Sequence, residues 1–178
     1  MPSDTESVPM TAATIKALQA PLKAGYKANP PAARRTLVAP GRLLADRPAV
    51  QIETGKGRVV AGLHPAAGGS GADACSGDML LEALAACSGV TLKAVATALG
   101  ISIRGGLVIA EGDLDFRGTL GVAREVPVGF TDIRLRFELE TDADDEQLAV
   151  LLKLAERYCV IYQTLKDPPR LSVERVSA

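Results

Sequence analysis

Tryptophan is absent from this chain, and phenylalanine and tyrosine contribute only three residues each. The interior must therefore be built from Leu, Val, Ile and Ala, and no aromatic platform for nucleic-acid bases is in view. Basic blocks are missing too. The 20 Lys and Arg stand against 21 Asp and Glu, for a net charge of −1. That balance excludes the electrostatic footprint of a nucleic-acid-binding domain. Histidine occurs once, at His64, and no Cys-x-x-Cys spacing exists. The usual zinc donor sets are thereby excluded, and neither a metal nor another cofactor is expected. Cysteine occurs three times, at Cys75, Cys87 and Cys159. An odd, low count argues against a disulfide scaffold and for a reducing, cytosolic setting.

Long unbroken apolar runs are also scarce. The stretch from Met79 to Ile103 contains Glu82 and Lys93 and reads as too polar to span a bilayer. Residues 1–20 carry Asp4, Glu6 and Lys16 without an apolar core segment, so no secretory leader is expected. The Gly-, Ala- and Ser-rich stretch 64–77 has neither Walker nor Rossmann spacing, so it reads as a loop and not a phosphate cradle.

What is present is a chain of 178 residues, 47 % of them hydrophobic, enough for one domain with a real core. Residues 1–10 read as a polar tail. Ile15, Leu18 and Leu22 recur at helical steps between Thr11 and about Ala24, in a helix expected to break near Gly25 and to end by Asn29-Pro30-Pro31. Residues 1–31 are thus an appendage, and 32–178 the domain proper. "AVQIETGKGRVVAGL" reads as a hairpin turning at Gly55-Lys56-Gly57, with a weaker strand before it, split by Pro40-Gly41.

The segment from Asp78 to Leu99 predicts a long helix, capped by Ser76, ended by Gly100 and buried on most sides. Its expected stripe runs through Leu80, Leu84, Cys87, Thr91, Ala94, Val95 and Ala98. One or two strands follow within 101–122. A cleanly alternating strand carries Ile133, Leu135, Phe137 and Leu139 on one face. A second long helix is expected from about Asp144 to Lys166, capped by Thr141 or Asp142, with Leu148, Leu152, Ala155, Cys159 and Tyr162 on one stripe. "RLSVERV" reads as a last strand. Strands grouped apart from helices indicate the α+β class.

Cys87 and Cys159 therefore each fall inside an apolar helix. Simple packing explains such a thiol, because free cysteine behaves as a small hydrophobe. An apolar surround raises a thiol pKa, and Cys87 lies too far inside its own helix to feel that helix's dipole. Chemistry at Cys87 needs a cation or a hydrogen-bond donor brought in from elsewhere. Two cysteines on two central helices can meet there.

The words "GDMLLEALAACSGVTLKAVATALGI" and "LAERYCVIYQTL" resemble the OsmC/Ohr family of thiol-dependent peroxidases, over roughly Arg34 to Val176. The resemblance implies an OsmC-like fold: antiparallel sheets around two long central helices, with an extra N-terminal helix here. It implies an intertwined homodimer with sites at the subunit interface. Cys87 resembles the peroxidatic cysteine and Cys159 the resolving one. Organic hydroperoxides would be the substrates, and a cellular dithiol would restore the pair.

Three departures mark a divergent branch. The family's Glu, about ten residues before the first Cys, is Gly77 here, with Asp78 adjacent and Glu82 one turn on as substitutes. The family's thiolate-stabilising Arg comes from an early strand, for which Arg42 is taken among Arg34, Arg35, Arg42 and Arg58. The usual Pro after the second Cys is Val160. Two other readings stay open: a non-catalytic protein of the same fold that binds a small apolar ligand, and a purely structural dimer. Cys75 has no role in the resemblance and reads as a packed or incidental thiol. His64 reads as a turn or hydrogen-bonding residue at the pocket border.

Overall fold

The structure is a computed structural model describing residues 10–176, so most of the tail read at 1–10 lies outside the described residues. Helix α1 spans Ala12–Ala28, one turn longer than its periodicity predicts. The Thr11 side chain caps it by accepting the Thr14 N–H at 3.1 Å. Gly25 does not break it, and the helix ends at Asn29, before the two prolines.

Strands β1 (Gly41–Leu43), β2 (Val50–Thr54), β3 (Gly57–Gly62) and β4 (Ala74–Cys75) form one sheet in that order. The β2–β3 hairpin is the one expected, with Ile52 opposite Val59. The short β4 runs parallel to β3, within a stretch whose composition predicts a loop. Two residues are too few for any period to show.

Helix α2 spans Ser76–Leu99. Cys75 rather than Ser76 holds its N-cap position, and Gly100 closes it at φ 72°, a conformation that glycine tolerates best. Its buried stripe is Leu84, Ser88, Leu92 and Ala96. That stripe is rotated from the expected one, and the helix is not buried on most sides: Ala83, Ala86, Val90 and Ala94 face out. Over an 18-residue window its mean hydropathy is 1.5, so by length and composition alone it could cross a membrane. Glu82 and Lys93 do not make it too polar, contrary to the sequence reading. Here α2 is the central helix of the fold, packed on the elements described next.

Strand β5 (Ile103–Asp113) and strand β6 (Asp132–Thr141) form a long antiparallel ribbon, with the short helix α3 (Phe116–Thr119) in their connection. β6 alternates as expected, with Ile133, Leu135, Phe137 and Leu139 turned inward. At Gly106 a Cβ would stand 2.0 Å from the Glu138 carbonyl oxygen, so only glycine fits the ribbon there.

The second long helix is two helices. α4 is Asp145–Tyr158 and α5 is Val160–Lys166, broken at Cys159. Asp144, not Thr141 or Asp142, caps α4 in a reciprocal capping box with Gln147. The core lies between α2, α4 and the ribbon, where Leu92, Ala96, Ile103, Leu151 and Ala155 meet. Lys93 reaches the Ile103 carbonyl at 2.7 Å and ties α2 to the start of β5. Residues 170–176 pair with no strand among the described residues, so the expected last strand is extended chain instead. Leu171 and Val173 there are almost fully exposed.

Candidate active site

The break at Cys159 builds the site. Its backbone sits at φ −74° and ψ 112°, so α4 stops and α5 restarts one residue later. β-branched Val160 and Ile161 follow, which lowers the local preference for continuing the helix. Cys159 closes α4 through its N–H to the Ala155 carbonyl at 3.0 Å. Its sulfur then opens α5 by accepting the Tyr162 N–H at 3.4 Å. The first amides of a helix have no partner inside it. In α5 the third goes to Cys159, and the first two, Val160 and Ile161, are the amides that lower the Cys87 thiol on α2.

Cys87 is half-buried, and Cys159 is 1 % exposed. Burial of Cys87 pushes its thiol up. The Ile161 amide, the Cys159 thiol, the Val160 amide and the Thr91 hydroxyl together outweigh that effect and hold it below the ordinary thiol range. Hydrogen-bond donors supply the activation that the helix's own dipole cannot. A lowered folded value means that the thiolate fills in at lower pH. Iodoacetamide labelling of Cys87 is therefore expected to reach its plateau at a lower pH than labelling of an unperturbed thiol. A profile matching that of a free cysteine would contradict this arrangement.

Behind the pair, Ser88 is 1 % exposed and places its hydroxyl oxygen 3.3 Å from the Cys159 sulfur. Sequence reading had missed Ser88 and the two amides and placed Thr91 only on an apolar stripe. A small polar residue next to a cysteine carries little signal, and backbone donors carry none.

The other expected site residues stand apart. Asp78 and Glu82 are exposed on α2, nine and five residues before Cys87, about 13 Å and 7 Å along the axis. Arg42 is exposed on strand β1. None of the three is among the groups bonded to Cys87 in this chain. Arg58 pairs with Glu53 at 3.1 Å, and Arg35 donates to the Ala32 and Arg34 carbonyls.

His64 accepts the Ala66 N–H on Nδ1 at 3.0 Å and stacks on Phe116. With Cys75 and Asp78 it borders a cavity of about 330 Å³ beside Gly77. A Cβ at Gly77 would meet Phe130 and the Cys75 sulfur at ordinary contact distances, 3.5 and 3.6 Å.

Two larger cavities flank α2 one turn before Cys87. One, of about 590 Å³, lies between the first sheet and α2 and is lined by Val50, Ile52, Leu63, Met79, Leu80 and Ala83 among others. The other, of about 400 Å³, is lined by Leu84, Phe130, Ile133, Leu135, Tyr162 and Leu165 with a few polar residues. Among the described residues no cluster of His, Cys, Asp or Glu could hold a metal ion.

Residues 69–174 match the family model described as OsmC-like protein. No curated protein matches the sequence. Among solved structures, an OsmC-like protein from Mycoplasma pneumoniae is 19 % identical at a TM-score of 0.62, covering 75 % of this chain and 89 % of its own. The organic hydroperoxide resistance protein OsmC from Legionella pneumophila is 15 % identical at 0.55, over 75 % of this chain and 93 % of its own. A similarly described protein from Elizabethkingia anophelis is 14 % identical at 0.53, over 76 % and 92 %. At such identities the likeness is one of fold.

Proposed function

Because this chain belongs to the OsmC-like family, with a hydroperoxide-related redox role in view, we propose that it is a thiol-dependent peroxidase that reduces organic hydroperoxides at Cys87. The observation that carries this reading is the set of four donors around a half-buried thiol, one of which is a second thiol. The Cys87 thiolate attacks the distal peroxide oxygen. The O–O bond breaks, the alkoxide takes a proton and leaves as alcohol, and Cys87 becomes a sulfenic acid. Cys159 then attacks the Cys87 sulfur, an S–S bond forms and water leaves. A cellular dithiol returns both to thiols.

The apolar cavity beside Ala83, one turn from Cys87, supports a substrate with a hydrocarbon body. A homodimer is part of the proposal. The outward face of α2 carries Ala83, Ala86, Val90 and Ala94, and Leu37, Val38 and Leu43 are largely exposed. A second copy would cover such surface and bring Arg42 of one chain to the site of the other, with Asp78 and Glu82 orienting it. The cytoplasm suits three free thiols.

Intact mass after one equivalent of cumene hydroperoxide tests the reading. A loss of two mass units, mapped to Cys87–Cys159, is the expected result. An unchanged mass with both thiols still free rejects it. The second reading, a ligand-binding protein without turnover, rests on Gly77 in place of the family's acid. It predicts saturable binding of an alkyl ligand in the 590 Å³ cavity together with that unchanged mass.

A further inference from the structure

We propose that Ser88 is a positioning residue that holds the Cys159 sulfur ready to attack Cys87. This rests on the peroxidase reading for its biological sense, though not for its test. Ser88 is the one buried polar side chain among the described residues, set in a stripe otherwise made of Leu84, Leu92 and Ala96. A hydroxyl in such a stripe is unfavourable unless it is bonded. Its partner is the Cys159 sulfur at 3.3 Å, also 1 % exposed.

Either group can donate in that bond. When the single Cys159 proton turns toward Cys87, the Ser88 O–H is the donor to the Cys159 sulfur, alongside the Tyr162 N–H at 3.4 Å. Two polar groups thus converge on this sulfur from two helices, the Ser88 hydroxyl on α2 and the Tyr162 N–H on α5, and both fix its place.

The step they serve balances as follows. Cys159 S–H and Cys87 S–OH give the disulfide and water. The S–S bond forms, the S–O bond breaks, and the Cys159 proton leaves with the hydroxide. As that proton departs, charge grows on the Cys159 sulfur, where the Ser88 hydroxyl stands. Ser88 directly follows Cys87 in the chain, so one helix carries both the target sulfur and the group that aims the attacker at it.

A mixed disulfide separates this role from peroxidase activity. In a Cys75→Ser background, Cys87 is loaded with thionitrobenzoate from Ellman's reagent. Attack by Cys159 then releases the coloured thiol with no peroxide present. Ser88→Ala removes only the hydroxyl and suits a helix. It is expected to slow that release about fivefold, the size of one net hydrogen bond, while initial loading of Cys87 is unchanged. Ser88→Thr, which keeps the hydroxyl, is expected to recover most of the rate. A merely structural role would not divide the two steps in this way. Release from Ser88→Ala at the parent rate overturns the proposal. Slow release from Ser88→Ala, in a protein whose parent forms no disulfide with cumene hydroperoxide, overturns the peroxidase reading and leaves Ser88 in its role.

Discussion

Cys87→Ser is expected to abolish hydroperoxide turnover, whereas Cys159→Ser is expected to complete a single reduction and stop. The asymmetry comes from what each sulfur does. Serine at 87 keeps the size and the four donors but replaces a thiol with a hydroxyl that stays protonated at neutral pH, so no nucleophile remains. Serine at 159 still accepts from Tyr162 and can still donate to Cys87, so the first attack survives. Without a second sulfur the sulfenic acid has no internal partner, and a sulfenic-acid trap such as dimedone is expected to add once, at Cys87. Residual multiple turnover in Cys87→Ser would move the chemistry to Cys75 or away from thiols altogether.

Val160→Pro is expected to slow iodoacetamide alkylation of Cys87 at neutral pH by roughly ten- to a hundredfold, the range of one hydrogen bond to a charged group. Val160 is the first residue of α5, where proline is tolerated and its fixed φ suits a helix. The extended backbone of Cys159, at ψ 112°, suits a residue before proline. The substitution therefore removes the N–H that reaches Cys87 and little else. Val160→Ala keeps that N–H and is expected to alkylate like the parent. Equal rates in the proline and parent proteins, with the thermal melt unchanged, would show that this amide does not activate the thiol. The proline usual in the family would lack this donor. Valine here leaves Cys87 one more donor, in a chain that also lacks the family's acid at position 77.

Much of this was legible in the residues. Period-2 alternation found β6, because one face of the ribbon packs inward and the other meets water. The Gly55–Gly57 turn found the hairpin, and both cysteines were singled out by their segments. The break at Cys159 was not legible. "ERYCVIYQ" keeps a helical period straight through it, since α4 and α5 bury the same side against α2. Yet the break makes the site: it exposes the two amides that Cys87 needs. The rotated stripe on α2 has a similar cause. Small residues surround that helix on every face, so hydrophobicity alone does not say that Ser88 is buried while Ala86 is exposed. The sequence did state the requirement, a donor from elsewhere, without naming the donor.

The cradle around Cys87 also bears on the reverse reaction. Four hydrogen bonds favour the reduced, anionic sulfur, and a disulfide at Cys87 has no thiolate for them to stabilise. Whatever stabilises the reduced form of a dithiol pair makes its oxidised form the stronger oxidant. The donors that quicken attack on a peroxide would thus raise the reduction potential of the resulting disulfide, so that even a mild cellular dithiol could recharge it.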